Sequence, residues 1–215
     1  GTDMAVYDLE EQEKLSALQA WWEAYGKYVT GVVTALCIII IAVQGWRWYS
    51  RSQSEKAAVL YNAISQAAAT NALDKAKDAG TQLLDKYPGS AYASRGALLL
   101  AKLAIDANDK ALAKTHLQWV IDRASEDELK QIARLRFAYV LLDEKAYDDA
   151  LRTLDAKHDE QLDGLYADAK GDILAASGKT AEARAAYQAA LLKLDPKGAH
   201  RGYVQLKLDS LGESK

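Results

Sequence analysis

The sequence predicts an all-α protein with one N-terminal transmembrane helix followed by an α-solenoid of helical hairpins and a C-terminal capping helix. Two observations predict this fold class: an uncharged apolar run of membrane length near the N-terminus, and a pattern of helix, break and helix that recurs along the remainder. Alanine and leucine dominate after Ser54, and both lose little rotamer freedom in a helix. Runs of β-branched residues occur only between Val29 and Val43, and the chain has two prolines, Pro88 and Pro196.

The apolar run extends from Tyr28 to Trp46 without a charged residue. At about 1.5 Å per residue it is roughly 28 Å long, close to the hydrocarbon thickness of a bilayer. A cleaved signal peptide would need a small-residue cleavage site after the run, and Gly45-Trp46-Arg47 is not such a site. Aromatic residues, which favour the headgroup level, flank the run on both sides: Trp21, Trp22, Tyr25, Tyr28, Trp46, Trp48 and Tyr49. We therefore place a retained transmembrane helix at 28–49.

This helix divides the chain into a short N-terminal amphipathic segment (1–27), the membrane span (28–49), a polar linker (50–56) and a repeat domain (57–215). The N-terminal segment is expected to form a short helix that runs into the membrane interface. It begins with acidic residues and continues with apolar ones at helical spacing: Asp8, Glu10, Glu11 and Glu13, then Leu15, Leu18, Trp22 and Tyr25.

The charges beside the span leave its orientation open. Lys14 and Lys27 precede it, whereas Arg47, Arg51 and Lys56 follow it. The positive-inside rule alone therefore leans, by one residue, towards a cytoplasmic C-terminal domain. The chain has a net charge of −3, and its sequence shows no cluster of Lys and Arg that would form a basic face for a phosphate backbone. We therefore expect no nucleic-acid partner.

Recognisable stop and start signals separate the helices that follow the span. Asn71 with Asp74, and Ser125 with Glu128, have the spacing of helix starts, the second pair as a capping box. The other breaks are turns rich in Gly, Pro, Asn or Asp: 86–90, 108–109, Gly178 before Thr180, and 195–198.

The hairpins repeat at a regular interval. An alanine stands early in each second helix, at Ala76, Ala113, Ala150 and Ala183. The intervals of 37, 37 and 33 residues are close to the tetratricopeptide period of about 34 residues. Small residues are predicted where two helices touch, at Ala101, Ala138 and Gly171. Larger apolar groups follow the alanine of the second helix by four residues, at Leu117, Leu154 and Tyr187.

The first helices of such hairpins line the concave side of a solenoid. By this register, the predicted protein-binding residues on that side are Arg95, Lys102, Tyr139, Asp168 and Asp172. Ordinary surface residues are the alternative interpretation. The last segment, 199–211, is expected to cap the stack through an apolar face with Tyr203, Leu206 and Leu211.

The sequence predicts no catalytic, cofactor-binding or metal site, and therefore no enzyme. His116, His158 and His200 lie far apart, without a second ligand at metal-binding spacing. The stretch 178–180 resembles the end of a phosphate-binding loop, but Ile173 stands where that loop needs glycine. One acidic cluster is interpreted as a solvated turn: Asp143, Glu144, Asp148 and Asp149.

Several short stretches carry further information through their order and spacing. They are 45–49 (GWRWY), 61–64 (YNAI), 92–93 (YA), 98–101 (LLLA), 134–138 (RLRFA), 150–155 (ALRTLD) and 205–211 (QLKLDSL). In this order the chain, from about Tyr7 onward, resembles the YfgM-like family of ancillary subunits of the bacterial SecYEG translocon. The family resemblance implies a single-pass inner-membrane protein with a cytoplasmic N-terminus and a periplasmic repeat domain. It also implies association with SecYEG, with a periplasmic chaperone of the PpiD type, and with polypeptides during translocation.

A second function class stays open at this point. The repeat fold does not choose a partner, so a membrane-anchored scaffold for another envelope complex, in outer-membrane or cell-wall assembly, is the alternative. The two functions differ in whether the N-terminal helix and the span are needed for the complex.

Overall fold

The computed structural model describes residues 2–212, and all regular secondary structure in that range is helical. The elements are α1 (Thr2–Ala69), α2 (Leu73–Lys86), α3 (Ala91–Asp106), α4 (Lys110–Arg123), α5 (Asp127–Asp143), α6 (Tyr147–Leu154), a 3-10 turn (Glu160–Leu162), α7 (Asp163–Ala176), α8 (Thr180–Lys193) and α9 (Ala199–Gly212). The predicted fold class is confirmed. The chain divides into two compact units, Gly1–Ser52 and Gln53–Lys215.

The first unit is formed by the N-terminal part of α1. Among the described residues, α1 is the one helix long and apolar enough to cross a membrane, and none of its most apolar stretch is buried. The side chains of Ile38–Ile41 are all exposed. A helix that is apolar on every side and uncovered by protein suits a lipid environment, in agreement with the predicted span.

The segment predicted as a linker, 50–56, is helical and continues α1 without a break. Ser50, Arg51, Gln53, Glu55 and Lys56 are compatible with a helix, and no glycine or proline interrupts them. Polar residues alone, without a glycine or proline, therefore do not end α1 at this segment. The domain boundaries themselves stay a prediction.

The second unit contains four helical hairpins and a last helix. Hairpin 1 joins the end of α1 to α2, and hairpins 2, 3 and 4 join α3 to α4, α5 to α6 and α7 to α8. The first helices of successive hairpins lie beside one another, since α3 contacts α5 and α5 contacts α7. Helix α9 packs against α8.

The turn inside each hairpin repeats one backbone motif. Asn71, Asn108, Lys145 and Gly178 have positive φ angles of 52°, 58°, 61° and 81°. In hairpin 1 the Ala72 N–H donates to the Ala67 carbonyl at 2.8 Å, and the Asn71 N–H donates to Ala68. Equivalent pairs of bonds close the other three turns. These are Schellman motifs, which satisfy the carbonyls left free at a helix end.

Two predicted helix starts are wrong in detail. Asn71 ends α1 and does not cap α2, because its left-handed backbone belongs to the Schellman motif. The capping box of Ser125 and Glu128 does not form, because α5 begins one residue later with Glu126 at the N-cap. Side-chain caps occur instead at Ser90, which accepts from the Ala93 N–H at 3.2 Å, and at Asp109.

The repeating alanines form the contacts between helices, as predicted. Ala76, Ala113, Ala150 and Ala183 are completely buried. The small residues and the larger apolar groups predicted at the helix contacts are buried as well: Ala101, Ala138, Gly171, Leu117, Leu154 and Tyr187. A Cβ added at Gly171 would lie 2.5 Å from Cδ1 of Tyr187. Only glycine therefore fits where α7 meets α8.

Helix α9 caps the stack through a face that includes only Leu211 of the three predicted residues. Val204 is completely buried, and Leu208 and Leu211 pack beside it against α8. Tyr203 and Leu206, expected on the packed face, are 61% and 65% exposed. The packed residues follow the helical spacing i, i+4 and i+7. This rotation of α9 also places Lys207, which directly precedes Leu208, towards α7.

Candidate protein-binding surface

The five residues predicted to bind proteins all lie on first helices of hairpins. Arg95 and Lys102 are on α3, and their side chains are exposed. The Arg95 guanidinium donates to both carboxylate oxygens of Glu126, at 2.9 and 3.2 Å. Glu126 is the N-cap residue of α5, so this ion pair joins two first helices on the surface. Such an exposed pair contributes little stability, about 0–1 kcal/mol, and leaves its charges available to a partner.

The other three predicted residues meet in a polar cluster on α5 and α7. The Tyr139 hydroxyl donates to Asp172 at 2.9 Å, and the Tyr187 hydroxyl donates to the same carboxylate at 2.6 Å. The Lys207 ammonium of α9 donates to Asp168 at 2.6 Å and to Asp172 at 2.8 Å. We call this group, with His200, the α7–α9 network: Tyr139, Asp168, Asp172, Tyr187, His200 and Lys207.

Burial makes the α7–α9 network electrostatically strong. The Asp168 carboxylate is 1% exposed, and besides Lys207 it lies 2.9 Å from Nε2 of His200. Burial alone would lower the pKa of Lys207, but its hydrogen bonds to Asp168 and Asp172 outweigh that effect and raise the pKa above the usual lysine value. Lys207 is therefore a fixed cation that compensates the two carboxylates.

The same surroundings act on the two tyrosines. Burial first, and then the carboxylates of Asp172 and Asp168, raise the pKa of Tyr139 above the usual tyrosine value. Burial and the hydrogen bond to Asp172 raise the pKa of Tyr187 in the same direction. Both hydroxyls consequently keep their protons and donate to Asp172 at neutral pH.

Sequence reasoning missed His200, Lys207 and the hydroxyl role of Tyr187. One signal was available: Asp168 and Asp172 are one helical turn apart at positions that face other helices, so a folded domain has to supply a cation there. The ion pair joins residues 39 positions apart, beyond the reach of helical spacing rules. Asp168 and Asp172 are thus engaged within the protein, whereas Arg95 and Lys102 lie at the surface. Binding of proteins by these residues stays a prediction.

A further surface lies in the first unit, where small residues of α1 form a shallow groove between larger side chains. Gly26, Thr30 and Thr34 are spaced one turn apart along it, beside Gly31 and Ala35, and the lining is completed by Trp22, Glu23, Lys27 and Ile38. A Cβ added at Gly31 would meet nothing within 4 Å, so this side of the helix is open. In a membrane, small residues permit another helix to approach closely.

Comparisons with known proteins agree with this architecture. The family model described as a tetratricopeptide repeat-like domain matches residues 19–213. The chain is 31% identical over 210 residues to a protein of Neisseria gonorrhoeae named ancillary SecYEG translocon subunit, covering 94% of this chain and 98% of the relative. Proteins of the same name are 27% identical in Escherichia coli (97% and 99% covered) and 25% identical in Aggregatibacter actinomycetemcomitans (96% and 100% covered).

These matches extend over nearly the whole chain, so they include both the apolar helix and the hairpins. The family model alone covers far more than half of the chain. The chain therefore belongs to the tetratricopeptide repeat-like domain family and, as its sequence resemblance indicated, to the family of ancillary SecYEG translocon subunits.

Proposed function

We propose that this protein is a non-catalytic ancillary subunit of the SecYEG translocon, anchored in the inner membrane by the span in α1. The observation that carries the proposal is the similarity, over nearly full length, to three proteins that bear this name. The exposed apolar stretch of α1 and the hairpin domain supply the two parts that such a subunit needs: an anchor and a protein-binding surface.

The association is tested by purifying the tagged full-length protein from mildly solubilised membranes and identifying the co-purified proteins by mass spectrometry. We expect SecY in the eluate. The double variant Gly31→Leu/Thr34→Leu fills the small-residue groove of α1 and should recover less SecY, because bulky side chains prevent close helix approach.

The matched control adds bulk to the opposite side of the same helix, as Val32→Leu/Val43→Leu, where both residues are exposed. This control should recover SecY like the unchanged protein. An eluate that contains outer-membrane or cell-wall assembly proteins and no SecY would contradict the proposal and favour a scaffold of another envelope complex.

We further propose that the N-terminus lies in the cytoplasm and the hairpin domain in the periplasm. There the domain would bind emerging polypeptides and link the translocon to a chaperone of the PpiD type. The positive charges of Arg95 and Lys102 and the exposed rings of Tyr139 and Tyr203 suit extended polypeptide segments.

The orientation is tested with single cysteines in a Cys37→Ser background. Gly89→Cys lies in an exposed turn where an added Cβ meets nothing within 4 Å, and Ser16→Cys is exposed on α1. In spheroplasts, a membrane-impermeant maleimide should label Gly89→Cys, whereas Ser16→Cys should be labelled only after lysis. The reverse pattern would contradict a periplasmic hairpin domain. The chaperone link is tested by the affinity purification of the tagged full-length protein, where the absence of a PpiD-type chaperone among the co-purified proteins would contradict it.

A further inference from the structure

Hairpin 3 differs from the other hairpins in the length of its second helix. Helix α6 has 8 residues, whereas α2, α4 and α8 have 14 each. The chain returns to α7 through residues 155–162, which include the 3-10 turn. Where the missing helical turns would have packed, a groove of about 620 Å³ lies between α6, this return segment, α7 and α8. We call it the hairpin-3 groove.

Polar contacts hold the wall of the hairpin-3 groove in place. The His158 ring stacks on Tyr166 with 4.1 Å between ring centroids, and its Nε2 lies 2.8 Å from the Asp163 carboxylate. The buried Tyr166 hydroxyl donates to the Gln131 carbonyl at 2.6 Å. The Asp159 N–H donates to the Gln131 side chain at 2.7 Å. The return segment is thus anchored to α5 and α7, and the groove is preformed.

Part of the groove lining is apolar, and one of these apolar side chains is unusually exposed. Leu151, Leu154, Ala167 and Ala189 line the groove together with Leu192. Leu192 is 85% exposed, the highest value among the exposed large hydrophobic side chains of the described residues. Covering an exposed leucine removes apolar surface from water, so an apolar group that enters this groove is stabilised by contact with Leu192.

The rim of the groove is positively charged in a protein that is acidic overall. Lys157, Lys170 and Lys193 line it, against Asp155 and Asp163. The Asp163 carboxylate is already bound by His158 and lies 3.9 Å from the Lys193 ammonium. Within residues 2–212, Lys157 and Lys170 have no ion-pair partner. Asp155 has no ion-pair partner there either, but the three lysines outnumber the two carboxylates of the lining, so the rim favours acidic groups.

We propose that the hairpin-3 groove binds an extended peptide segment in which an apolar side chain is flanked by acidic residues. The apolar side chain lies on Leu151, Ala167 and Leu192, and the carboxylates pair with Lys157 and Lys170. The groove shares no residue with the α7–α9 network or the span. The inference therefore goes beyond translocon association and stands or fails independently of it.

The test uses the full-length protein in nanodiscs of zwitterionic lipid and two fluorescein-labelled octapeptides. One octapeptide has a central leucine between aspartates, and the other has lysines in place of the aspartates. Fluorescence anisotropy should show saturable binding of the aspartate peptide, at least about tenfold tighter than the lysine peptide, which corresponds to about 1.4 kcal/mol. Binding should weaken as salt is raised.

Two substitutions on exposed positions of the groove, Leu192→Ser and Lys170→Glu, should each weaken the aspartate peptide about fivefold or more, since one removes apolar contact and the other reverses a charge. The matched controls, Leu206→Ser on α9 and Lys75→Glu on α2, change exposed residues that do not line the groove and should leave binding unchanged. All four variants should keep the helical circular dichroism of the unchanged protein.

Equal binding of the two peptides, equal weakening by the controls, or no saturable binding would overturn the proposal. Vesicles of phosphatidylglycerol test whether an anionic lipid surface, and not a peptide, occupies the groove. If they bind the hairpin domain in a Lys170-dependent manner while the aspartate peptide does not bind, the groove is a site for an anionic lipid surface and the peptide proposal is wrong.

Discussion

The two units of this chain place the same kinds of side chain in opposite surroundings. In Gly1–Ser52 the isoleucines and valines of α1 are exposed, whereas in Gln53–Lys215 residues such as Ile64, Leu117 and Ile173 are fully buried. The hairpins pack against one another because removing apolar surface from water is favourable. A helix in lipid has no such drive towards its neighbours and associates through close packing instead. The apolar surface of the first unit is therefore available to lipid and to membrane partners.

Substitutions in the two units are therefore expected to act through different physical effects. In the first unit a charge opposes membrane insertion without disturbing the hairpins. In the second unit the sensitive features are close contacts and buried ion pairs.

The largest effect is expected from charges in the span, in the variant Leu36→Arg/Ile40→Arg. Each arginine at the centre of a transmembrane helix costs about 3 kcal/mol of insertion free energy, and the two leave the chain without an adequate anchor. We expect the protein to be extracted from membranes by alkaline carbonate. Its hairpin domain should still give the helical circular dichroism of the unchanged protein.

Leu36→Ala/Ile40→Ala is the control for this variant, because it reduces apolar surface without adding charge. It should stay in the membrane pellet. If the arginine variant also stayed there, α1 would not be the anchor.

The next largest effect concerns the buried cation of the second unit, in the variant Lys207→Met. It leaves the Asp168 carboxylate buried without its principal counter-charge. Breaking such a pair costs several kcal/mol, and because Lys207 is 22% exposed we expect about 2–3 kcal/mol of unfolding free energy to be lost. Urea denaturation of the full-length protein in micelles, followed by circular dichroism, measures it.

Lys75→Met changes an exposed lysine of α2 and should shift the urea midpoint little. Adding Asp168→Asn to Lys207→Met should recover part of the loss, because the more deeply buried of the two carboxylates that Lys207 pairs with is then replaced by a neutral amide. A variant as stable as the unchanged protein would show that α9 docks through Val204 and its apolar neighbours alone.

A smaller loss is expected from Gly171→Ala, which places a methyl group against the Tyr187 ring. Overpacking of this kind costs about 1–3 kcal/mol. The control is Gly202→Ala on α9, where an added Cβ meets nothing within 4 Å. That change should stabilise the protein by about 0.5–1 kcal/mol, because alanine favours the helix. Two changes of the same sign would contradict the close contact of α7 and α8.

The smallest effect is a gain, in Lys145→Gly. Lys145 has a φ of 61°, a left-handed conformation that glycine adopts without strain. We expect about 0.5–1 kcal/mol of added stability, read from the urea midpoint. Gln82→Gly, in the middle of α2, should instead lose about 1 kcal/mol. A loss in both variants would indicate that the turn of hairpin 3 is not left-handed.

The features that sequence reasoning predicted are those that a continuous run or a repeat in the sequence encodes. The span follows from an uninterrupted apolar run, and the hairpins follow from alanines that recur at similar intervals and are all buried. What it missed depends on residues far apart in the chain or on the rotation of one helix. The Asp168–Lys207 pair, the packed face of α9 around Val204 and the start of α5 at Asp127 are such cases.

The short length of α6 likewise depends on contacts between residues far apart in the chain. Its early end after Leu154 is stabilised by contacts of His158 and Asp159 with α5 and α7, which no local pattern encodes. The protein-binding residues were predicted from register alone, and register does not reveal which of them an intramolecular partner engages.

Association of the span with the translocon is tested most directly by photo-crosslinking in living cells, with a photoreactive amino acid placed along the span of the full-length protein. We expect adducts with SecYEG subunits from Thr30 and Thr34, on the small-residue groove, and far weaker adducts from Val32 and Val43 on the opposite side. Adducts with other membrane proteins and none with SecYEG, from every position, would contradict it.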